Sequence, residues 1–175
     1  KYNNPYPDIY FLVGDVSKSI LEERSIIDKR YTTLFNNLWN PNTTLDTMFS
    51  KNKFNIVSVM FATHYFFKSP IILDNFVKNI SDNLKKGGYF IGCCFDGHKI
   101  FELLKSIPRN GSKQVYKNGS LMWKIIKDYR EIQFPANESS VGLPIKVFMN
   151  SINQIIEEFL VNFEILKSKL AAYNI

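Results

Sequence analysis

The hydrophobic pattern of the chain alternates between short continuous runs and one clearly helical stretch. Residues 54–61 and 89–94 are almost continuously apolar, which is typical of strands that are buried on both faces of a parallel sheet. Between them, after Ser69-Pro70, apolar side chains recur at spacings of three and four as far as Leu84, and Lys85-Lys86-Gly87-Gly88 ends the stretch. The pattern therefore predicts a strand, helix, strand unit with parallel strands and a right-handed crossover.

The N-terminal third of the chain has weaker patterns. Residues 8–14, with the sequence DIYFLVG, predict a third strand that is a parallel neighbour of the other two and ends at the acidic Asp15. Residues 17–29 are weakly helical, and the Asn- and Thr-rich stretch that follows has no stable period. We expect a loop and helical insertion at about residues 22–53, partly helical around residues 34–38.

The C-terminal half contributes one strong turn signal and three further elements. Asn118-Gly119, at the centre of residues 114–127, predicts an antiparallel hairpin. The other elements are a short helix at residues 99–106 after the turn Asp96-Gly97-His98, a strand at residues 143–149, and a final helix from Phe163 that carries Leu166, Leu170 and Tyr173 on one face. The predicted fold class is α/β, a mostly parallel sheet with antiparallel hairpin additions.

The composition is that of a single globular domain. The chain has 175 residues, of which 45% are hydrophobic and 22% charged, and these values exclude disordered, collagen-like and coiled-coil proteins. No apolar run is long enough to span a membrane, and the first residues lack the apolar core of a secretory signal. The formal charge of +6 allows an anionic partner such as RNA, although the 22 Lys and Arg residues are spread along the whole chain.

The two cysteines, Cys93 and Cys94, are adjacent inside an apolar run. Neighbouring cysteines are badly placed to bridge each other, and two are too few for a zinc site. We therefore expect buried thiols in a reducing compartment.

Ligands of open α/β sheets bind beyond the carboxyl ends of the strands, and this rule selects three segments as the candidate site. They are Asp15-Val16, residues 60–65 and residues 95–98. Asp15 can accept hydrogen bonds there from an adenine amine or a ribose hydroxyl, or it can cap a helix that begins near Ser17. The sequence favours neither role over the other.

Two further features bear on ligand binding. Residues 61–67, FATHYFF, place five ring side chains just beyond a central strand. Such rings can sandwich a flat base, and the alternative is a hydrophobic wedge between sheet and helix with a satisfied histidine. Glu157-Glu158 lies between apolar residues, where an inward carboxylate can accept two hydrogen bonds from a guanine edge. The alternative for that pair is two solvated charges at a helix start.

These segments, in this order, resemble the mRNA cap guanine-N7 methyltransferase family, in particular the methyltransferase domain of capping enzymes from large cytoplasmic DNA viruses. FNIVSVMFATHYFF is similar to the family's strand and its signature of phenylalanine, alanine, any residue, histidine and tyrosine. LDNFVKNISDNLKKGGYFIGCCFDG is similar to the next helix and strand, and GLPIKVFMNSI followed by EEFLVNFEILKSKLAAYNI to the glutamate-containing loop and the helix after it. The resemblance covers roughly residues 8–20 and 54–175.

The resemblance implies a class I, Rossmann-like fold and a cofactor, S-adenosylmethionine. Asp15 and Val16 would contact its adenine, while Met60 and Phe61 would line its other side. No metal and no catalytic acid or base is expected, because guanine N7 has a free lone pair and the sulfonium is already an activated methyl donor. The rate would then come from positioning alone.

The resemblance also implies the residues that bind the cap guanine. His64 and Tyr65 would hold the base, with Phe61 beside them, and Glu158 would accept hydrogen bonds from guanine N1 and N2. Glu157 is expected on the solvated side of the same segment. Phe95 stands where the family has a proline, and this substitution changes one wall of the guanine pocket.

Some family elements have no counterpart in the sequence. These are the first sheet strand with its glycine-rich loop, the second strand with its acidic end, and the last strands. We therefore expect residues 1–175 to be a portion of a larger methyltransferase domain.

The implied function is S-adenosylmethionine-dependent methylation of guanine N7 at the mRNA 5' cap. The implied partners are a capped RNA end and other capping-enzyme domains, triphosphatase and guanylyltransferase, in the same or a partner chain, with no membrane. The implied location is the cytoplasm, or the host cytoplasm or virion for a viral protein. The alternative is a non-catalytic methyltransferase-like module that binds RNA or stabilises a capping-enzyme subunit.

Overall fold

A computed structural model describes residues 9, 11–21, 25–39 and 53–175, and the structural statements below concern those residues. They form α-helices and β-strands joined by short turns. In chain order the elements are α1 (Thr32–Trp39), β1 (Phe54–Met60), α2 (Thr63–Phe66), α3 (Pro70–Asn83), β2 (Leu84–Cys93), α4 (Gly97–Leu103), β3 (Ser112–Lys117), β4 (Ser120–Lys127), β5 (Pro144–Met149), β6 (Gln154–Phe159) and α5 (Phe163–Ala171).

The predicted strand, helix, strand unit is confirmed as β1, α3 and β2. The two strands are parallel neighbours, with Ile56 opposite Tyr89 and Met60 opposite Cys93. The Ser69 hydroxyl accepts a hydrogen bond from the Ile72 N–H at 3.3 Å, so this residue caps α3 as its type and position indicated. The four residues predicted to stop the helix belong to β2, which begins at once after Asn83 and turns at Gly87, where φ is 77°.

The remaining strands form a separate antiparallel sheet in the order β3, β4, β5, β6. The predicted hairpin is confirmed, and both Asn118 (φ 51°) and Gly119 (φ 78°) adopt the left-handed conformation that a tight two-residue loop requires. Strand β6 was not predicted, and Glu157-Glu158 lies in it rather than at a helix start. The α/β class is confirmed, but among the described strands one pairing is parallel and three are antiparallel, so the structure is less parallel than predicted.

The N-terminal segment differs most from expectation. The predicted strand at residues 8–14 is wrong for the residues described, since Gly14 makes only an isolated antiparallel bridge with Ile26 and is no neighbour of β1. Asp8 and Tyr10 lie outside the described residues. The cause is local, because the Asp15 N–H donates to the Ser25 carbonyl at 2.7 Å and folds the chain back on itself.

The helical expectations for residues 17–53 are met in one place. Residues 17–21 and 25–28 contain no α-helix, so the weak helix predicted at residues 17–29 is wrong for that part of the segment. Helix α1 confirms the helical stretch around residues 34–38. The rest of the proposed insertion, residues 22–24 and 40–52, lies outside the described residues.

One glycine joins the end of β2 to the chain beyond β6. Asp96 caps α4 by accepting from the N–H groups of His98 and Lys99, so the helix starts two residues earlier than predicted. At Gly97 a Cβ atom would lie 2.4 Å from the Val161 carbonyl oxygen, and the Gly97 N–H donates to that oxygen at 3.1 Å. Only glycine permits this approach, which holds the strand ends together.

Two apolar clusters form the core. One lies around α3 and includes Phe66 and Phe67, and the other lies between α4 and the antiparallel sheet. Cys93 and Cys94 are free thiols, but Cys93 is exposed, so the prediction that both are buried is wrong. Met60, the β1 partner of Cys93, is exposed as well, which shows that this end of the parallel pair is uncovered by the described residues. No helix in the described part of the chain is long and apolar enough to cross a membrane.

Candidate functional site

The segment after β1 is fixed by aromatic packing. Phe61 leaves the strand with a left-handed φ of 52°, which is unusual for an aromatic residue, and the single turn of α2 follows. The Phe66 ring stacks on Phe76 with 4.0 Å between centroids, and Phe67 is fully buried. These two rings form the predicted wedge between sheet and helix, and they anchor the residues before them.

His64 and Glu158 meet beside this wedge. His64 Nε2 lies 3.7 Å from Glu158 Oε1, and both residues are buried. Neither ring nitrogen of His64 has a hydrogen-bond partner among the described residues, and none of those residues donates to the Glu158 carboxylate. The wedge is therefore present, but its histidine is not the satisfied one that a purely structural role would give.

Burial controls the charge of both groups. Desolvation lowers the pKa of His64 from 6.5 to about 4 and raises the pKa of Glu158 from 4.5 to about 7. At neutral pH the imidazole is uncharged, and the carboxyl group is poised between its two forms. The pair therefore has unused hydrogen-bonding atoms, and at neutral pH its burial does not require two full charges to be removed from water.

Tyr65 lies beside His64 and is partly open to solvent. Its ring centroid is 4.2 Å from that of His64 in an edge-on arrangement, and the residue is 42% exposed. Burial, and then the charge of Glu158, raise the pKa of Tyr65. The structure thus brings together His64, Tyr65 and Glu158, while Glu157 points to the other face of β6 and is exposed.

Asp15 makes the local contacts of a turn cap. Its Oδ1 accepts from the Ser17 N–H at 3.0 Å and from the Ser17 hydroxyl at 2.6 Å, and Lys18 Nζ lies 3.2 Å from Oδ2. The Ser17 hydrogen bond is the main cause of the lowered pKa of Asp15. Of the two roles left open by the sequence, the capping role is the one observed, although it caps a turn rather than a helix.

Val16 and Met60 line a cavity of about 530 Å³ that runs along β1. Asn79 holds the Val16 segment in place, since its side chain donates to the carbonyls of Val16 (3.0 Å) and Lys18 (2.7 Å) and accepts from the Ile20 N–H. Sequence reasoning missed Asn79. A buried asparagine on the apolar face of an amphipathic helix is the signal that could have revealed it.

The other predicted site residues are more loosely placed. Asp15 and Phe61 are not among the residues that line the cavity, and Phe61 is 68% exposed. Phe95, where the family has a proline, is half-exposed just beyond β2. The described residues contain no cluster of His, Cys, Asp and Glu that could hold a metal ion.

Comparison with known proteins agrees with the resemblance read from the sequence. A "Probable mRNA-capping enzyme" of Acanthamoeba polyphaga mimivirus is 28% identical over 122 residues, which are 68% of this chain and 10% of that protein. An "mRNA cap guanine-N(7) methyltransferase" of Aspergillus niger is 26% identical over 129 residues, which are 70% of this chain and 19% of that protein. The chain therefore spans between about a tenth and a fifth of the length of these curated relatives.

One solved structure has a partial likeness to the fold. It is an S-adenosylmethionine-dependent methyltransferase from Clostridium acetobutylicum, with 16% identity and a TM-score of 0.45 over 70% of this chain and 48% of its own. That likeness is too weak to bear on the assignment. The family model described as the mRNA (guanine-N(7))-methyltransferase domain matches residues 9–175. Because that match takes in almost the whole sequence, the chain belongs to the mRNA (guanine-N(7))-methyltransferase domain family.

Proposed function

We propose that this protein methylates N7 of the guanine at the 5' cap of mRNA, with S-adenosylmethionine as the methyl donor. The observation that carries the proposal is the buried pair of His64 and Glu158, which has unused hydrogen-bonding capacity beside the half-exposed Tyr65 ring. Family membership supplies the reaction class. The names of the two relatives, a capping enzyme and a cap methyltransferase, agree with it.

Glu158 is matched to guanine among the nucleic-acid bases. The Watson–Crick edge of guanine carries two adjacent donors, N1–H and N2–H, and a carboxylate offers two adjacent acceptors. Burial makes each of these bonds stronger than in water, and it makes an unpaired carboxylate costly. A guanine that binds here relieves that cost, whereas adenine presents an acceptor where guanine has a donor.

His64 and Tyr65 complete the proposed guanine site. The lowered pKa of His64 keeps the imidazole neutral, so it adds one donor and one acceptor without repelling a base that becomes positively charged on methylation. The Tyr65 ring provides a flat surface for stacking. The site holds the guanine in one orientation, and that orientation is what a reaction without acid or base catalysis requires.

The cofactor side of the proposed site fits S-adenosylmethionine in part. Val16, Met60 and Ala62 line the cavity along β1 and offer an apolar wall of the kind that packs on an adenine ring. Asp15 keeps part of its carboxylate surface open to solvent and would share it between Ser17 and the adenine amine. When bound, S-adenosylmethionine supplies a sulfonium methyl group that guanine N7 can accept directly.

The same reasoning extends to partners and setting. We propose that the substrate is a capped RNA end and that residues 1–175 act as part of a methyltransferase domain beside triphosphatase and guanylyltransferase domains, as the family resemblance implies. The name of the viral relative, a capping enzyme, agrees with such a setting. A cytoplasmic location, or a virion for a viral protein, goes with that assignment. No observation on the described residues favours the non-catalytic alternative.

The decisive experiment is Glu158→Gln. The amide places a donor against a guanine donor, so one bond is replaced by a clash and the discrimination is lost. We expect methyl transfer to capped RNA to fall by about a hundredfold or more, which corresponds to roughly 3 kcal/mol. Cofactor affinity, measured by calorimetry on the full-length protein, should hardly change.

Glu157→Gln is the matched control, since Glu157 is exposed on the opposite face of the same strand. It should keep near-normal activity. Equal rates for the two variants, or a larger loss at Glu157, would remove Glu158 from the guanine site. A wild-type protein that binds capped RNA and S-adenosylmethionine without transferring the methyl group would establish the non-catalytic alternative.

A further inference from the structure

A second pocket lies at the C-terminal end of α4, away from the residues discussed so far. Its volume is about 450 Å³, and it is formed by the segment after α4, by the last residue of β4 and by the residues that follow β4. Four cationic side chains line it, those of Lys105, Arg109, Lys127 and Arg130. We call it the basic pocket.

Lys127 is the unusual member of this set. It is only 6% exposed, and no carboxylate oxygen of the described residues lies within 4.0 Å of its ammonium group. Its Nζ lies 4.8 Å from the ring centroid of Tyr129 and 5.9 Å from that of Phe101. Buried charges are normally paired with an opposite charge, and two aromatic faces replace only part of a lost hydration shell.

Tyr129 adds an unused hydrogen-bond donor next to that charge. The residue is 3% exposed, its ring stacks on Phe101, and its hydroxyl has no hydrogen-bond partner among the described residues. A buried hydroxyl without a partner is rare in folded proteins. A cation without an opposite charge and a hydrogen-bond donor without an acceptor, in one pocket, are what an anion would satisfy.

The acidic residues around the pocket leave this cationic character in place. Arg109 is bonded to Asp128, and Lys105 lies 3.2 Å from a Glu102 oxygen. Glu131 accepts a hydrogen bond from the Arg130 backbone N–H. Burial, and then the negative charges of Glu131 and Glu102, raise the pKa of Tyr129. Three carboxylates thus face four cations, and Asp128 is shared with Lys146 as well.

The sheet register places this pocket on the same side as Glu158. Lys127 of β4 lies opposite Ile145 of β5, and Ile145 lies opposite Glu158 of β6. Residues directly opposite one another in an antiparallel sheet point to the same face, so Lys127 and Glu158 are two strands apart, about 10 Å between Cα atoms. Helix α4 packs on this face through Phe101 and Leu104, and the basic pocket lies at its end.

We propose that the basic pocket binds a phosphate group of the RNA chain that follows the cap. The proposal rests on the proposed function, because it is the assignment of guanine to Glu158 that brings an RNA chain to this face of the sheet. Lys127 supplies the charge, the Tyr129 hydroxyl donates a hydrogen bond, and Arg130 at the exposed rim adds a second cation. The site carries no sequence information, since phosphates are the same at every position.

The test measures binding of the full-length protein to an uncapped single-stranded RNA of ten nucleotides as a function of salt. Lys127→Met keeps most of the buried volume and removes the charge, and we expect about a tenfold weaker affinity at low salt. The slope of log K against log salt should fall by about 0.7, the value for one lost phosphate contact on a single strand. Arg130→Gln, at an exposed position that does not affect folding, should show the same change at a smaller size.

Lys124→Met is the matched control, because Lys124 lies on the same strand three residues away and therefore faces the other side of the sheet. Its affinity should change less than twofold. Wild-type affinity and slope in both Lys127→Met and Arg130→Gln would overturn the proposal. If the substitutions weaken the binding of a methylated guanosine triphosphate analogue but not of RNA, the pocket binds the cap triphosphate instead. If they weaken only the binding of inorganic phosphate, the pocket binds free phosphate.

The experiment separates this proposal from the previous one. Uncapped RNA carries no cap guanine, so Glu158→Gln should bind it like the wild type, whatever its methylation rate. Weak RNA binding in Lys127→Met together with unchanged methylation in Glu158→Gln would mean that the pocket binds RNA and that the guanine assignment is wrong. The reverse pattern would retain the guanine assignment and exclude the phosphate site.

Discussion

The two sides of the proposed site differ in how they are built. On the guanine side His64 and Glu158 are buried, and neither ring nitrogen of His64 has a hydrogen-bond partner among the described residues. The cofactor side is open, with Met60 52% and Phe61 68% exposed, and the Asp15 carboxylate already accepts hydrogen bonds from Ser17, two residues further along the chain. A ligand on the guanine side can therefore form hydrogen bonds that the free protein lacks, whereas on the cofactor side the carboxylate already has its hydrogen bonds.

This difference indicates where binding energy and specificity originate. Groups buried without partners lower the stability of the free protein, and a ligand that supplies the missing bonds gains what the fold has lost. On the guanine side a ligand atom that cannot form the missing hydrogen bond therefore causes a large loss of binding free energy. On the open side a ligand gains area and a few shared hydrogen bonds, so single substitutions there should have small effects.

The largest expected effect concerns the anchor of the guanine side. Phe67 is fully buried behind the turn that carries His64, and Phe67→Ala should lower the free energy of unfolding by about 3 to 5 kcal/mol. Phe61→Ala, on the exposed side, should change it by less than about 0.5 kcal/mol. Urea unfolding of both variants measures the contrast. Similar losses of unfolding free energy in the two variants would show that the two sides are equally well packed, and would contradict the difference described above.

The next effect is a pH dependence with opposite signs for the two buried groups. The pKa of Glu158 is raised from 4.5 to about 7, so its contribution to stability is present below pH 4.5 and is lost as the pH rises towards 7. The pKa of His64 is lowered from 6.5 to about 4, so its contribution is present above pH 6.5 and is lost as the pH falls towards 4. Over the shared range the two slopes oppose each other in the wild-type protein.

Single substitutions should expose each slope. As the pH rises from 4.5 to 7, the free energy of unfolding of Glu158→Gln should increase relative to that of the wild type. As the pH rises from 4 to 6.5, that of His64→Gln should decrease relative to the wild type. Each change should be on the order of 3 kcal/mol. Chemical unfolding at half-unit steps of pH checks both. Glu157→Gln should run parallel to wild type throughout. Curves of the two buried variants that shift in the same direction would contradict the assignment of burial as the cause of both pKa shifts.

The sequence predicted most of the fold where one pattern dominates over a long segment. The strand, helix, strand unit and the hairpin were predicted because continuous apolar runs, a capped helical period and Asn118-Gly119 each have few alternative interpretations. Strand β6 was missed because Ile155-Ile156 and Glu157-Glu158 break the alternation that marks a strand. The turn before it, where Asn153 has a φ of 55°, was the available signal.

The site was less predictable than the fold for a related reason. The family resemblance implied that His64, Tyr65 and Glu158 share one site, and their meeting depends on a β5–β6 pairing that no local pattern specifies. The strand at residues 8–14 failed because its hydrogen bonds run to Ser25 and Ile27, close in sequence, rather than to β1. Asparagine on the apolar face of a helical period marked Asn79 as unusual, but its partner, the Val16 carbonyl about sixty residues away, is visible only in the structure.

The smallest expected effect tests the open side, at Asp15. If Asp15 shares its carboxylate with the adenine amine, Asp15→Ala should weaken S-adenosylmethionine binding by about 1 to 2 kcal/mol, a loss that calorimetry on the full-length protein resolves. The same substitution also removes the turn cap, so Ser17→Ala is needed beside it, because it removes the 2.6 Å hydroxyl contact and keeps the carboxylate. We expect Ser17→Ala to bind the cofactor with nearly normal affinity. Equal losses of cofactor affinity in Asp15→Ala and Ser17→Ala would mean that Asp15 acts only through the turn. Unchanged affinity in both variants would remove Asp15 from the site, because the open side would then hold the cofactor by its apolar wall alone.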